Sequence, residues 1–358
     1  MTASLISQEA FNKVIDGRQV ALITLSNSLG TTVQISNYGA RIVSFLVKDA
    51  SGELRDIVIG PSSLEGYLNA KERYFNAIIG RYAGRIARGS FALGGTPQQV
   101  AVNNGGNHLH GGPHGLHEQV WEVLKHASNK IKLRCVLPDG HEGFAGNLEV
   151  TVKYLLTEQN ELVIDYLAKS DKDTVINLTN HAFFNLNKTH SETILDNKLL
   201  IGSSEYLAVD ANAIPTGEIK DVKNTPFDFT SFKAIGKDIK ADNEQLKTAR
   251  GYDVTFPLEA YPSKDGTSFF AAALTAPSTG LRLEVLTTEP SVHLYTGNFL
   301  EGADLGKDNI PCAKHSAVCL ETQHFPDSPN KISFPSVLLK AGEEFKSCTV
   351  YRVSADIV

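Results

Sequence analysis

Hydrophobic and polar residues alternate along much of this chain with a period of two. In residues 131–135, for example, Ile131, Leu133 and Cys135 are separated by two basic residues. Because successive side chains of a β-strand point to opposite faces, such alternation predicts strands with one buried face. The same pattern recurs in three further segments, 148–154, 281–285 and 347–353.

Turn signals and a few short helical patterns lie between the predicted strands. Clusters of Gly, Pro, Asn, Asp and Ser favour turns, because these residues tolerate or preset the backbone angles that turns require. Helical periodicity is confined to 62–69, directly behind Pro61, and to 242–249. The turn clusters occur at 27–30, 51–52, 94–95, 139–140, 215–217 and 265–266.

The order of these elements predicts an all-β fold. The sequence has no alternation of strands with long helices, no glycine-rich nucleotide-binding fingerprint after a strand, and no internal repeat. Many short strands joined by polar turns are typical of antiparallel sandwiches and barrels. No linker divides the chain into compositionally distinct halves. We therefore expect one domain, residues 1–358, folded as a large antiparallel β-sandwich with few short helices.

Composition narrows the classes of partner. Hydrophobic residues make up 42% and charged residues 21% of the 358 positions, which is the balance of a soluble globular protein. The formal net charge is -6, and no block of like charge occurs. Nucleic acids and anionic membranes both favour a basic surface, so we expect neither as a partner.

Cysteine usage and the first residues suggest a location. The four cysteines form no C-x-x-C pair and lie in or beside apolar runs, which predicts buried free thiols in a reducing compartment. Residues 1–20 contain Glu9, Lys13 and Asp16, where a signal peptide needs an unbroken apolar segment. We expect a cytoplasmic protein, although an exported protein whose signal peptide had been removed would look the same.

The first candidate for a functional site is the segment 174–187, which we interpret as a strand. Aromatic surface with a few polar groups is typical of a small-molecule site. The alternatives are a solvated outer face or a histidine whose neighbours satisfy its hydrogen bonds. One face is polar where a core strand would be apolar, and it carries Asn177, Thr179, His181, Phe183 and Asn185.

A second candidate is Glu321, which interrupts an otherwise apolar run at 317–323. Charged side chains are rarely buried without a partner, so this carboxyl group either ends the strand in water or serves a function.

The loop 107–117 holds four histidines, His108, His110, His114 and His117. A metal site is one hypothesis, because imidazole is a common metal ligand. No carboxylate or cysteine has matching spacing, however. We therefore expect one histidine that hydrogen-bonds a ligand and three that are exposed.

Two further places carry polar groups suited to a ligand. Arg81 and Arg85 lie between glycines, and the fork of donors on arginine suits adjacent hydroxyl groups. Asp253 follows Tyr252 and precedes a short apolar run. The alternatives are a solvated edge strand for the arginines and a turn-capping role for the aspartate.

Seven segments together resemble the signature blocks of the aldose 1-epimerase family, also called galactose mutarotases. The segments occur in the order of the family and span residues 37–330, nearly the whole chain. The resemblance implies a β-sandwich with a sugar cleft that interconverts the α and β anomers of free aldohexoses such as galactose or glucose. It implies no cofactor and no metal. The segments are NYGARI (37–42), GRYAGRIARG (80–89), HLHGGPHGLHEQVW (108–121), TNHAFFNL (179–186), GYDVTF (251–256), LYTGNF (294–299) and CLETQHFPDSPN (319–330).

The family pattern also implies roles for individual residues. Glu321 matches the general base and His181 the general acid. Arg85, His110 and Asp253 match residues that bind sugar hydroxyls. The other loop histidines match no functional position of the family.

Two positions depart from the family pattern. Gly84 stands where many relatives have asparagine, and His293 stands where relatives often have glutamine. Histidine can replace one amide donor or acceptor but not both with the same geometry. We expect His293 to contact the sugar and both departures to influence sugar preference.

Three alternative functions stay open at this stage. A hexose-6-phosphate 1-epimerase would need basic residues around the cleft, for which Arg81 and Arg88 are candidates. A non-catalytic carbohydrate-binding protein of the same fold would be expected to lose the acid or the base. A metalloenzyme would use the histidine loop. For the preferred function we expect a monosaccharide as the only partner and a monomer or homodimer.

Overall fold

The computed structural model describes residues 4–259, 261 and 267–355, and its main element is a nine-stranded sheet. The predicted turn at 265–266 lies outside the described residues. All neighbouring strands of this sheet run antiparallel. In spatial order the strands are Glu122–Ala127, Lys130–Leu137, Leu148–Leu156, Glu161–Ser170, Glu344–Ala355, Leu281–Thr287, Phe269–Ala276, Lys198–Ile201 and Lys233–Ala234.

The alternation seen in the sequence is confirmed in this sheet. Ile131, Leu133 and Cys135 are buried, whereas Lys132 is exposed. The same residues that alternate in the sequence therefore divide between the core and the outer face.

Two smaller antiparallel sheets pack against the large one. The first consists of Leu22–Ser26, Thr32–Ser36, Arg41–Lys48 and Leu54–Asp56. The second, called the cleft sheet below, consists of Asp253–Pro257, Ser291–Tyr295 and Cys319–Gln323. All three sheets contribute to one hydrophobic core, for example through Phe45, Leu133 and Leu294. The predicted β-sandwich is confirmed.

In the part of the chain that the structure describes, six two-stranded pairs accompany these sheets. They are Lys13–Ile15 with Arg18–Val20, Ile78–Ile79 with Thr179–Asn180, Arg85–Ile86 with His108–Leu109, Ser90–Leu93 with Thr96–Gln99, Thr174–Val175 with Leu338–Leu339, and Glu205–Val209 with Pro215–Asp221.

Helices are short and few. The described residues contain two α-helices, Leu64–Asn69 and Glu244–Ala249, so both helical predictions are confirmed. Each begins after a cap, because Ser63 and Asn243 accept hydrogen bonds from the first turn instead of joining it. No helix in this part of the chain is long and apolar enough to cross a membrane. The 3₁₀-helices are Gln8–Phe11, Ala87–Gly89, Leu116–Glu118, His141–Gly143, Ile194–Asp196, Ile235–Lys237, Lys307–Asn309 and Ser328–Asn330.

The probable strand at 174–187 is wrong as a continuous element. Only Thr174–Val175 and Thr179–Asn180 pair as strands, because the backbone groups of this segment bond to several separate parts of the chain and not to one partner strand. The Asn177 amide donates to the carbonyl of Ala83 at 2.9 Å and is buried. This side-chain bond adds to the backbone bonds of the segment, which is irregular because no single strand runs beside it, although its sequence alternates.

Arg41 ties the first strands to the loops that border the cleft. Its buried guanidinium donates to the carbonyls of Phe75 at 2.6 Å, Arg73 at 3.0 Å and His117 at 2.8 Å. Among the described residues no carboxylate pairs with it, and it also packs over the Tyr38 ring. The positive charge is therefore spread over backbone dipoles, and two separate loops are held to one strand.

We predict that Arg41→Met lowers the free energy of unfolding by about 3 kcal/mol, because two buried carbonyl groups and one partly buried carbonyl group lose their donors. The change is measured as the midpoint of urea unfolding at an unchanged slope. Arg134→Met is the control, since Arg134 forms its ion pairs on the surface and should shift stability by no more than ~0.5 kcal/mol. Equal midpoints for both variants would contradict the role of Arg41.

Candidate active site

A cleft of about 480 Å³ opens over the cleft sheet. This volume lies within the range of sites for small molecules. Alternate residues of the three strands line it, because side chains on one face of a sheet recur every second residue. These residues are Asp253, Thr255, His293, Tyr295, Glu321 and Gln323.

Strand register places Glu321 in a row with two other polar residues. His293 lies directly opposite Glu321 on one side and opposite Thr255 on the other. Glu321 is confirmed as part of a strand and is 1% exposed, so it does not end the strand in water. The carboxyl group is held by a rigid sheet at the base of the cleft.

His181 reaches the same point from outside the sheet. Its Nε2 lies 3.4 Å from Oε1 of Glu321, and the two side chains are 6% and 1% exposed. The backbone N–H of His181 donates to the carbonyl of Ala77 at 2.9 Å, which fixes the residue just beyond the strand Thr179–Asn180. The second oxygen of Glu321, Oε2, is buried without a partner among the described residues. This arrangement leaves one carboxylate oxygen for a ligand.

Removal of water dominates the electrostatics of this pair. Burial raises the pKa of Glu321 well above its ordinary value, and the negative charges of Asp253 and Glu72 add to the rise. Burial, with a smaller contribution from His293, lowers the pKa of His181 to about 3. Both shifts favour a pair with one proton in total and no net charge, since desolvation penalises either charged state.

Four rings surround the His181 imidazole. Phe183 and Tyr74 are nearly parallel to it, with centroid distances of 4.9 Å and 6.1 Å. His110 and Tyr295 meet it edge-on at 5.3 Å and 6.1 Å. These rings restrict the rotamer of His181 and keep water away from it.

His110 has a fixed tautomer. The backbone N–H of Gly84 donates to Nδ1 of His110 at 3.2 Å, so Nδ1 is an acceptor and the ring proton of the neutral imidazole is on Nε2. Burial lowers the pKa of His110 well below its ordinary value, which keeps the ring neutral. His110 therefore offers a hydrogen-bond donor to the cleft.

The tautomer of His110 also bears on whether these residues could bind a metal ion. Ligand atoms of His110, His181 and Glu321 lie within 4.8 Å of one another, close enough for one ion. A metal at Nε2 of His110 would move the ring proton to Nδ1, against the N–H of Gly84, and a metal at Nδ1 would displace that N–H. Metal-bound histidines normally donate from their second nitrogen. The cluster fits a hydroxyl group better than a metal ion.

A second set of polar residues, centred on Asp253, lies beside the pair of Glu321 and His181. Arg85 approaches Asp253 at 3.7 Å and donates to Asn104 at 3.2 Å. His293 contacts Oδ1 of Asp253 through Nε2 at 2.7 Å and Thr255 through Nδ1 at 2.8 Å. Burial raises the pKa of Asp253, but the hydrogen bond from His293 and the charge of Arg85 outweigh it and hold the pKa at about 2. Asp253 is an ionised acceptor.

All six residues predicted for the site line this one cleft: Arg85, His110, His181, Asp253, His293 and Glu321. His293 uses both ring nitrogens inside the protein, so its bonds position Asp253. Its predicted contact with a sugar stays a prediction.

The loop histidines differ from the prediction that three of them are exposed. His108 and His117 are fully buried, and only the side chain of His114, 70% exposed, behaves as expected. His108 accepts the N–H of Gly111 at 3.1 Å, and His117 packs edge-on against Tyr74 at 4.8 Å. These two residues shape the loop that presents His110.

The candidate phosphate ligands do not face the cleft. Arg81 is 1% exposed and donates to the carbonyl of Gly146 at 2.9 Å. Arg88 is exposed, but it is not among the residues that line the cleft.

Two cleft residues, Glu72 and Tyr74, were missed by the sequence analysis. Both lie before the GRYAGRIARG segment and outside every motif named above. The signal available was two charged residues followed by two aromatics at 72–75, which is also an ordinary surface pattern.

The chain is similar to known proteins over most of its length. The sequence model described as aldose 1-epimerase matches residues 21–352. The chain is 42% identical over 322 residues to the galactose mutarotase of Bos taurus, covering 90% of this chain and 91% of that protein. It is 36% identical over 343 residues to the aldose 1-epimerase of Escherichia coli (strain K12), covering 95% and 97%. The crystal structure of the GalM/aldose epimerase homologue from C. elegans superposes with a TM-score of 0.84 and 28% identity, covering 94% and 99%.

Proposed function

This chain belongs to the aldose 1-epimerase family, and we propose that Glu321 and His181 are the acid–base pair with which it interconverts the α and β anomers of free aldohexoses. It is an isomerase, and its partner is a sugar. The observation that carries the proposal is the buried carboxyl–imidazole contact of 3.4 Å at the base of the cleft.

The pair supplies what ring opening requires. One group removes the proton from the hydroxyl on C1, the bond between C1 and the ring oxygen breaks, and the other group protonates that oxygen. Rotation about C1–C2 of the open aldehyde and the reverse steps give the other anomer, and the pair again holds one proton. We propose Glu321 as the base and His181 as the acid, which requires that the proton of the pair pass first from Glu321, where burial favours it, to His181 across their 3.4 Å contact. Ring opening leaves Glu321 protonated and His181 deprotonated, so on reclosure Glu321 protonates the oxygen on C1 and His181 accepts the proton of the hydroxyl on C5.

The neighbouring groups suit recognition of hydroxyl groups. His110 and Arg85 donate hydrogen bonds, and Asp253 accepts them. A sugar hydroxyl both donates and accepts, so this mixture binds it better than a set of one kind. The names of the relatives support galactose, and aldoses in general, as substrates, whereas Arg81 and Arg88 give no support to a 6-phosphate substrate.

We also propose a cytoplasmic location, which the four free cysteines support, because free thiols persist in a reducing compartment. Three expectations stay predictions: a single domain, no nucleic-acid or membrane partner, and a monomer or homodimer.

We predict that Glu321→Gln and His181→Asn each lower kcat by ~10²–10⁴-fold, because each removes one positioned proton transfer. Polarimetry of freshly dissolved α-D-galactose and α-D-glucose measures the rate. The double variant should be little slower than the slower single variant, since both groups serve one proton transfer system. Glu343→Gln, an exposed change, is the control. A correctly folded Glu321→Gln protein within a few-fold of wild type would refute the proposed pair.

The pH profile of kcat/KM should have a plateau wider than the interval between ~4.3 and ~6.5, the ordinary values of glutamate and histidine. Burial opposes binding of a second proton, which would make the pair positive, so the acidic limb shifts to lower pH. Burial also opposes loss of the last proton, which would make the pair negative, so the alkaline limb shifts to higher pH. The profile is measured from initial mutarotation rates at low sugar concentration. An alkaline limb at or below pH ~6.5 contradicts this assignment.

His293→Leu should raise KM several-fold, because the ionised Asp253 loses a hydrogen bond of about 1.5 kcal/mol or more. The effect should nearly vanish in an Asp253→Ala background, since the two residues act as one unit. Steady-state kinetics of the two single variants and the double variant measure this coupling. Additive effects would show instead that His293 binds the sugar independently of Asp253.

A further inference from the structure

The loop before the strand Ile78–Ile79 is held in place from two sides. The Asp304 carboxylate accepts the backbone N–H of Lys71 at 2.7 Å and of Glu72 at 2.9 Å. On the other side, Arg41 holds the carbonyls of Arg73 and Phe75. The backbone at Glu72 is therefore fixed relative to the cleft.

The Glu72 side chain lines the cleft with one oxygen unused. Its Oε1 accepts the backbone N–H of Tyr74 at 3.0 Å. Among the described residues, Oε2 has no hydrogen-bond or ion-pair partner, and it is not among the buried atoms without one. Since the residue borders the cleft, this oxygen is accessible to a molecule bound there.

Glu72 lies close to the reacting pair. Its Oε1 is bonded to the backbone of Tyr74, and it lines the same cleft as Glu321 and Tyr295. The Tyr74 and Tyr295 rings both contact His181. Glu72 thus borders the end of the cleft where C1 and the ring oxygen must lie.

Its chemistry matches a hydroxyl group. Burial, with a smaller contribution from the charge of Asp304, raises the pKa of Glu72 to about 7. At neutral pH the carboxyl group can therefore either donate or accept a hydrogen bond.

We propose that Glu72 is a specificity-determining residue that hydrogen-bonds, through Oε2, one sugar hydroxyl next to the reacting end, on C2 or on C6. These positions are chosen because C2 adjoins C1, and C5, which bears C6, adjoins the ring oxygen. The inference rests on the proposed function and extends it to sugar selection.

The test compares D-galactose with 2-deoxy-D-galactose and 6-deoxy-D-galactose, after subtraction of each spontaneous rate. For wild type, removing the contacted hydroxyl should lower kcat/KM about tenfold or more, because a hydrogen bond to a carboxyl group is lost. In Glu72→Leu this penalty should disappear for the same sugar. Glu72→Gln should keep most of it, because an amide also donates and accepts. Glu53→Gln, on the exposed surface, is the control.

Other outcomes overturn the inference in distinguishable ways. An equal loss on all three sugars in Glu72→Leu would indicate a structural role. Equal losses for Leu and Gln would indicate that Glu72 acts only through its charge on Glu321. Wild-type protein without mutarotation would overturn the proposed function itself, and the inference with it.

Discussion

Exclusion of water from one carboxyl–imidazole pair is the constraint on which the site depends. In water, Glu321 would be a carboxylate and His181 would titrate separately from it. In the protein they touch at 3.4 Å and are almost completely buried, so one shared proton becomes the favoured state. A pair that always holds one proton can act as acid and base in both directions without a change of charge.

Much of the surrounding structure serves to make that burial possible. The sheet register fixes Glu321, and the aromatic rings fix His181. Polar backbone groups near the cleft cannot reach water, so side chains satisfy them instead: Asn177 for one segment and Arg41 for two loops. Each such bond is modest, but leaving one of these buried groups unpaired would be costly.

The sequence allowed four strands of the large sheet and both helices to be predicted, and it named six residues that line one cleft but not Glu72 or Tyr74. The failures have physical reasons. Alternation at 131–135 predicts a strand because a regular ladder forms there. Alternation at 174–187 does not, because the backbone there bonds to several separate parts of the chain and no single ladder forms. The pairing of His293 with Asp253 depends on register between strands about forty residues apart in sequence, which no local pattern contains. The burial of His108 and His117 depends likewise on tertiary packing, and Glu72 stands in no motif.

Arg41 has a consequence for how variants of this chain are interpreted. A substitution at Glu321 would reduce the activity of each folded molecule. A substitution at Arg41, which does not line the cleft, would reduce the population of folded molecules available in a cell. Total activity in an extract would fall in both cases. Only activity normalised to folded protein would separate a chemical defect from a defect of abundance.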